Sequence, residues 1–186
     1  PDFAWAGNVY LFASIDSFNG GGRKVGNAPA LLFGLDVIAR SQPTANLTVL
    51  VHHELYHFYQ VSGGDVVAHS LWVEGLATYA SMVLNPRATE DDALPVSHVH
   101  DSKDPQLDAP ERRISLANEM PARAAALGSQ LLAALDSQDP VVYSDFFLGR
   151  ASARAHGQPV RSGHWFGLQL VRRLAKGRSL QALARI

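Results

Sequence analysis

The sequence predicts an α+β fold, with a small N-terminal β-sheet over one central helix and a mainly helical C-terminal half. Three observations predict it. The first forty residues hold two apolar runs, the first of them β-prone, separated by a glycine cluster. The stretch from Leu47 to Leu84 carries two helical periodicities joined by a short glycine-containing link. Beyond Pro110 the apolar residues recur at helical spacing. With no internal repeat and no clear boundary, the 186 residues are expected to form one domain over 1–186.

Taken in order, Asn8–Ile15 is apolar and β-prone and predicts a strand. Asn19-Gly20-Gly21-Gly22 reads as a turn; with no helix start and no G-K-[ST] after it, it is not a phosphate-cradling loop. Pro29–Arg40 is a second apolar segment, a strand or a short helix. This segment or Val9–Ala13 offers a strand edge to which an extended peptide could add, though a buried core strand is the simpler expectation for each. Pro43-Thr44 makes a helix start with Thr44 as N-cap, and Leu47, Leu50, Val51 and Phe58 follow as an apolar stripe. Gly63 or Gly64 caps that helix at its C-terminal end. A second helix runs from Ser70 to Leu84 and stops at Asn85-Pro86, because a residue before proline avoids the helical region.

The rest is less regular at first. Residues Asn85–Pro110 are polar and rich in proline and aspartate, and predict a long solvated loop rather than a calcium site. Pro110–Ser137 predicts a helix broken near Pro121, packing through Leu127, Leu131, Leu132 and Leu135. Asp139–Leu148 is a short apolar segment containing Tyr143, and Gly149–Ser162 is a loop containing His156. Gly163–Lys176 predicts a helix ended by Gly177, and Ser179 caps a last helix to Ile186.

Composition excludes several classes. A net charge of −1 gives no basic surface for nucleic acid or anionic lipid. No apolar run reaches the length of a membrane span. The chain has no cysteine, so disulfides and thiolate metal sites are out, and histidine and carboxylate remain as the strong ligands. It begins Pro1-Asp2 without Met and reads as a trimmed product, from an exported precursor or from a cytoplasmic chain.

The chemistry concentrates in Val51-His52-His53-Glu54-Leu55-Tyr56-His57-Phe58, which contains H-E-x-x-H. Residues four apart on a helix lie about 40° apart, one turn above the other. His53 and His57 therefore point at one metal ion from the same face, and Glu54 flanks them where a carboxylate can hold a water. His52 is about 140° round from His57 and cannot share that ion. Such a short pattern arises by chance in roughly one chain of this composition in a hundred, so its surroundings matter. Ionisable groups beside an apolar stripe are costly unless something neutralises them; a zinc ion would do so, and the plainer reading is a helix with two satisfied core histidines. In the next helix Trp72, Leu76, Tyr79, Ala80 and Val83 form an apolar face. Glu74 lies on the other side among Gly75, Ala77, Thr78 and Ser81, small residues that admit a neighbouring helix. From that face Glu74 can reach the metal as third ligand and leave a fourth position open for water; its plainer role is a surface glutamate beside a tight helix contact. His98-Val99-His100 is the rival metal site; strand spacing puts both rings on one side, but no third ligand stands nearby on a rigid element.

H-E-L-Y-H followed by W-V-E-G-L-A-T-Y resembles the gluzincin class of zinc metallopeptidases, and within it the bacterial predicted zinc-dependent proteases of unassigned substrate. The resemblance covers Leu47 to Leu84, with weaker echoes at Asn8–Ala39 and Gly163–Ile186. It implies a zincin-like fold, His53, His57 and Glu74 as ligands of one zinc ion per chain, and Glu54 as general base. Two departures stand against it. Sixteen residues separate His57 from Glu74, slightly fewer than is usual. Thr78 stands where thermolysin-like members carry an aspartate that supports a ligand histidine, which puts that support in doubt. Neither the metzincin pattern nor the G-x-M-E-N segment of the gluzincin aminopeptidases is present.

The expected activity is peptide-bond hydrolysis of a peptide or protein substrate by a zinc-activated water, with Glu54 moving the proton. The other reading is a non-catalytic zinc-binding module; the intact Glu54 argues against it, because a structural site needs ligands but no base. His164, in Gly163-His164-Trp165-Phe166-Gly167, is the candidate donor to the transition-state oxyanion, in the place where the related proteases carry a Gly-Tyr pair. Its plainer role is to top an amphipathic helix; Tyr79 and Tyr143 are the alternative donors.

Overall fold

The computed structural model describes residues 4–15, 17–41, 47–60, 64, 66–100, 111–148 and 157–186, without the side chains of 41, 98–100, 111 and 112. It is a mixed α+β chain with one three-stranded sheet and mostly helical content beyond it. Strand β1 is Asn8–Phe12, β2 is Gly20–Val25 and β3 is Ala28–Gly34, in the order β1-β3-β2. β3 runs parallel to β1, with Tyr10 opposite Leu32, and antiparallel to β2, with Gly22 opposite Leu31. Its Ala30, Leu31 and Phe33 are buried, as a central strand of apolar residues requires. β1 is exposed along its whole length.

Two N-terminal readings change. The glycine cluster 20–22 is not a turn; it opens strand β2. The turn comes later, at Gly26-Asn27, where Gly26 takes φ +61. The glycines are there for contact. A Cβ on Gly22 would stand 2.6 Å from the Phe58 ring and one on Gly20 would stand 3.3 Å from Glu54 Cγ. Only a strand without side chains on that face lies this close to a helix. The segment 29–40, read as one element, is two, because Leu35–Ser41 turns into helix α1 directly after β3.

Helix α2 spans Leu47–Tyr59 and α3 spans Val67–Leu84. The two pack together, as the short link between them predicts, while the proposed Thr44 cap and Gly63 lie outside the described residues. The buried face of α2 is Val49, Glu54 and Tyr56, rotated from the expected stripe, whose Leu47 is exposed. α3 is buried on nearly all sides, through Leu71, Gly75, Leu76, Ala77, Thr78, Ala80 and Ser81. A helix without a polar face belongs between other elements. It ends at Asn85, as the following proline dictates.

Asn85–Pro110 is not one loop. Residues Glu90–Ala93 form the short helix α4, held by a capping box between Thr89 and Asp92, and Ser97–His100 is strand β4. Asp91 accepts a hydrogen bond from the Ser115 hydroxyl and Asp92 caps α4, so both have structural partners; Asp101, Asp104 and Asp108 lie outside the described residues. β4 pairs antiparallel with β5, Glu111–Ile114, a strand where the sequence predicted the start of a helix. Ser115 caps helix α5, Leu116–Ala133, which continues through Pro121 instead of breaking there. Pro121 stands little more than one turn into the helix, so the ring costs one backbone hydrogen bond near an end that already lacks several. Leu127 and Leu131 are buried as expected, but Leu132 is 70% exposed.

Asp139 caps α6, Pro140–Phe147. Helix α7 spans Ser162–Leu174, and Gly177 at φ +73 separates it from α8, Leu180–Leu183, capped by Ser179. His156 lies outside the described residues. α7 crosses α3 with Gly167 against Gly75; a Cβ on Gly75 would fall 2.3 Å from the Gly167 backbone. The small face of α3 admits α7 in this way. The core seals below, where Leu76, Ala77 and Ala80 meet Val171, Ala175 and Leu183, and Tyr56 donates from its hydroxyl to the Leu180 carbonyl at 2.9 Å. Each such Leu or Val contributes on the order of 2 kcal/mol by leaving water.

Candidate metal centre

Three elements meet at one point. α2 supplies His53 and His57, α3 supplies Glu74, and the N-terminal turn of α7 supplies His164. His53 Nε2 and His57 Nε2 stand 3.2 Å apart. Both face the same oxygen, Glu74 Oε2, at 3.3 and 3.6 Å. His164 Nε2 faces that oxygen too, at 3.2 Å. Among the described residues, His53, His57 and Glu74 are the group of ligand-type side chains close enough together to hold a metal ion.

The donor set fits zinc. Ligand atoms about 2.1 Å from a tetrahedral ion stand roughly 3.4 Å from one another. The triangle formed by His53 Nε2, His57 Nε2 and Glu74 Oε2 has edges of 3.2, 3.3 and 3.6 Å. Two imidazole nitrogens and a carboxylate oxygen are also the donor types zinc takes when three protein ligands leave a position open.

The electrostatics of the group are compatible with a bound cation. Burial disfavours the charged form of Glu74, yet its hydrogen bonds to His164 and His53 and the charges of His164 and His57 outweigh this and hold it well below the usual carboxylate range. Burial acts to lower the His53 pKa, but the hydrogen bond to Glu74 and the charges of Glu54 and Glu74 leave it raised. His57 is lowered to about 4, chiefly by burial, so its ring stays neutral as a ligand must. Glu54 is 9% exposed, beneath β2. Burial raises its pKa, and Glu74 adds to this, while His53, Arg23 and Arg161 pull the other way. A carboxylate moved toward neutral pH by desolvation is suited to taking up a proton.

The group lines a cavity of about 750 Å³. β2 forms one wall through Gly20 to Lys24, and Phe58, Tyr143 and Phe147 add aromatic surface. Neither segment named from sequence as a strand edge fills that place: β3 is the middle strand, and the edge that borders the cavity is β2. Of the alternative donors, Tyr143 lines the cavity and Tyr79 packs in the core. His52 turns away to Asn85, 2.7 Å from its Nδ2. The side chains of His98 and His100 are outside the description, so the rival pair has no geometry here.

Sequence reasoning missed two residues. Thr78 does not support a histidine; its hydroxyl donates back to the Glu74 carbonyl at 2.8 Å. Gln60 takes that place, with Nε2 at 2.8 Å from His57 Nδ1. Its spacing, one turn after His57, is legible in the sequence. Arg161 is the other. It precedes α7 in the left-handed region, φ 60 and ψ 19, and its carbonyl faces both the backbone N–H and the Nδ1 of His164, at 3.1 and 3.2 Å. Its side chain lines the cavity, where burial lowers its pKa against the charges of Glu74 and Glu54. No local pattern announces an arginine at positive φ.

Comparison of the chain with protein-family models, curated proteins and solved structures returns no match.

Proposed function

We propose that this chain is a zinc-dependent peptidase of gluzincin type, with His53, His57 and Glu74 holding one ion and Glu54 acting as general base. The observation that carries the reading is the triangle of 3.2, 3.3 and 3.6 Å formed by three zinc-type donors beside a buried carboxyl group. A zinc ion held there supplies Lewis acidity to the scissile carbonyl and makes a water acidic near neutral pH. Glu54 takes a proton from the attacking water and delivers it to the leaving amine. His164 donates from Nε2 to the oxyanion. Its Nδ1 faces the Arg161 carbonyl, an acceptor, so Nδ1 carries a proton and Nε2 donates only as imidazolium. An extended peptide adds to the edge of β2 that pairs with no strand among the described residues and runs along the cavity.

A non-catalytic zinc module, the other reading, leaves the buried Glu54 without a task, since a carboxyl group that ligates nothing there is only a cost. The test is cleavage of a peptide library with and without a chelator. The proposal expects cleavage that chelation abolishes and zinc restores. Zinc-loaded protein that cleaves nothing in the library would leave the non-catalytic module standing.

A further inference from the structure

Gln60 is the last residue before the link from α2 to α3 and is 6% exposed. Its side-chain amide is used unevenly. Nε2 lies 2.8 Å from His57 Nδ1 and 3.2 Å from the Val73 carbonyl, whereas Oε1 is buried with no hydrogen-bond donor facing it among the described residues. An amide nitrogen only donates. In this arrangement His57 Nδ1 accepts, and the ring proton sits on Nε2, the nitrogen aimed at His53 and Glu74. A cation on Nε2 requires the opposite, with the proton on Nδ1 and an acceptor beyond it. Thr78, bonded to its own helix, does not supply that acceptor. The unmatched Oε1 does, once the amide turns half a revolution about its terminal bond. The turn exchanges the Nε2 donor to the Val73 carbonyl for an oxygen facing that carbonyl, so the reversed amide is the costlier orientation until a metal ion on Nε2 fixes the ring proton on Nδ1.

We propose that Gln60 is a positioning residue for His57: it selects which ring nitrogen carries the proton, and its amide reverses when Nε2 takes a metal ion. No atom is gained or lost. The proton moves from Nε2 to Nδ1 by exchange with water, and the same amide serves as donor before and as acceptor after. This rests on the zinc reading of His53, His57 and Glu74. The amide is neutral where the histidine partner of many metal sites is a carboxylate, so the centre holds its ion less tightly than it could.

The experiment uses the full chain, as wild type, Gln60→Leu and Gln60→Glu. Zinc affinity is measured by competition with a chelator, and the His57 tautomer by long-range 1H–15N correlation. In zinc-free wild type the His57 proton is expected on Nε2, and zinc is expected to move it to Nδ1. Gln60→Leu should lose the Nε2 preference and bind zinc about 10–100-fold more weakly. Gln60→Glu accepts in both states; it should hold the proton on Nδ1 throughout and bind zinc at least as tightly as wild type. Zinc affinity of Gln60→Leu within twofold of wild type, or an Nδ1 proton in zinc-free wild type, overturns the proposal. If Gln60→Leu does not fold, Gln60→Glu decides by the same two readouts. If the wild type binds no zinc, the metal reading falls by itself; the zinc-free tautomer, compared across the variants, still decides the role of Gln60.

Discussion

At the scale of single residues, Glu54, His53 and His164 carry separable claims. Glu54 touches the site without belonging to the ligand triangle, so Glu54→Gln should keep zinc and fold while hydrolysis disappears, because an amide cannot take the water's proton. Peptide turnover and elemental analysis on the same sample check this; equal turnover removes Glu54 from the mechanism, and lost zinc makes it structural. His164→Phe should keep zinc and lower kcat about a hundredfold, the usual cost of one oxyanion donor. An unchanged kcat passes the role to Tyr143, the candidate tyrosine on the cavity wall. Zinc uptake should depend on pH in two steps. Protons compete with zinc for the ligand nitrogens, so affinity falls as pH falls. The first step belongs to His53, whose raised pKa makes it the first of the two to take up a proton as pH falls; the second belongs to His57 and arrives only near pH 4. A titration of zinc affinity against pH with a single break near pH 4 would contradict this assignment.

At the scale of elements, the site depends on how closely α3 and α7 cross. Gly75 and Gly167 meet backbone to backbone, and Glu74 and His164 lie beside that crossing on their two helices. Gly75→Ala should therefore lower stability by about 3 kcal/mol, a fall in Tm of roughly 10 °C, and should reduce zinc content by moving Glu74 away from α2. Thermal melting and metal analysis together test it; an unchanged Tm means that the crossing has slack. Helix α3 and its terminus were legible in the sequence, because a 3.6-residue period and an Asn-Pro stop are local signals. The approach of His53 to His57 was legible for the same reason, since the two are one turn apart on one element. Strand β2 was not legible. Its Gly20-Gly21-Gly22 carries turn chemistry, and it is a strand because Phe58 and Glu54 on α2 leave no room for side chains. That information is tertiary. Likewise α5 passes through Pro121 because its first turn is held by the Ser115 cap, and β5 forms because β4 lies beside it. Gln60 was legible in spacing, but its partner depended on Thr78 turning back onto its own helix.

At the scale of the whole molecule, the sheet, α2, α3 and α7 surround one cavity, and six groups with shifted pKa values, His53, Glu54, His57, Glu74, Tyr143 and Arg161, line it, while Tyr56, also shifted, lies in the core. Perturbed groups gathered in one cleft mark a functional site better than any one of them does. The central claim is that this gathering holds one zinc ion on His53, His57 and Glu74. The measurement that tests it most directly is zinc content per chain, by elemental analysis, of the wild type and of His53→Ala, His57→Ala and Glu74→Ala after equilibration with equimolar zinc and removal of loosely bound metal. The account predicts one zinc per wild-type chain and a sharp loss in every variant. Full zinc in all three variants would contradict it and move the search to His98 and His100.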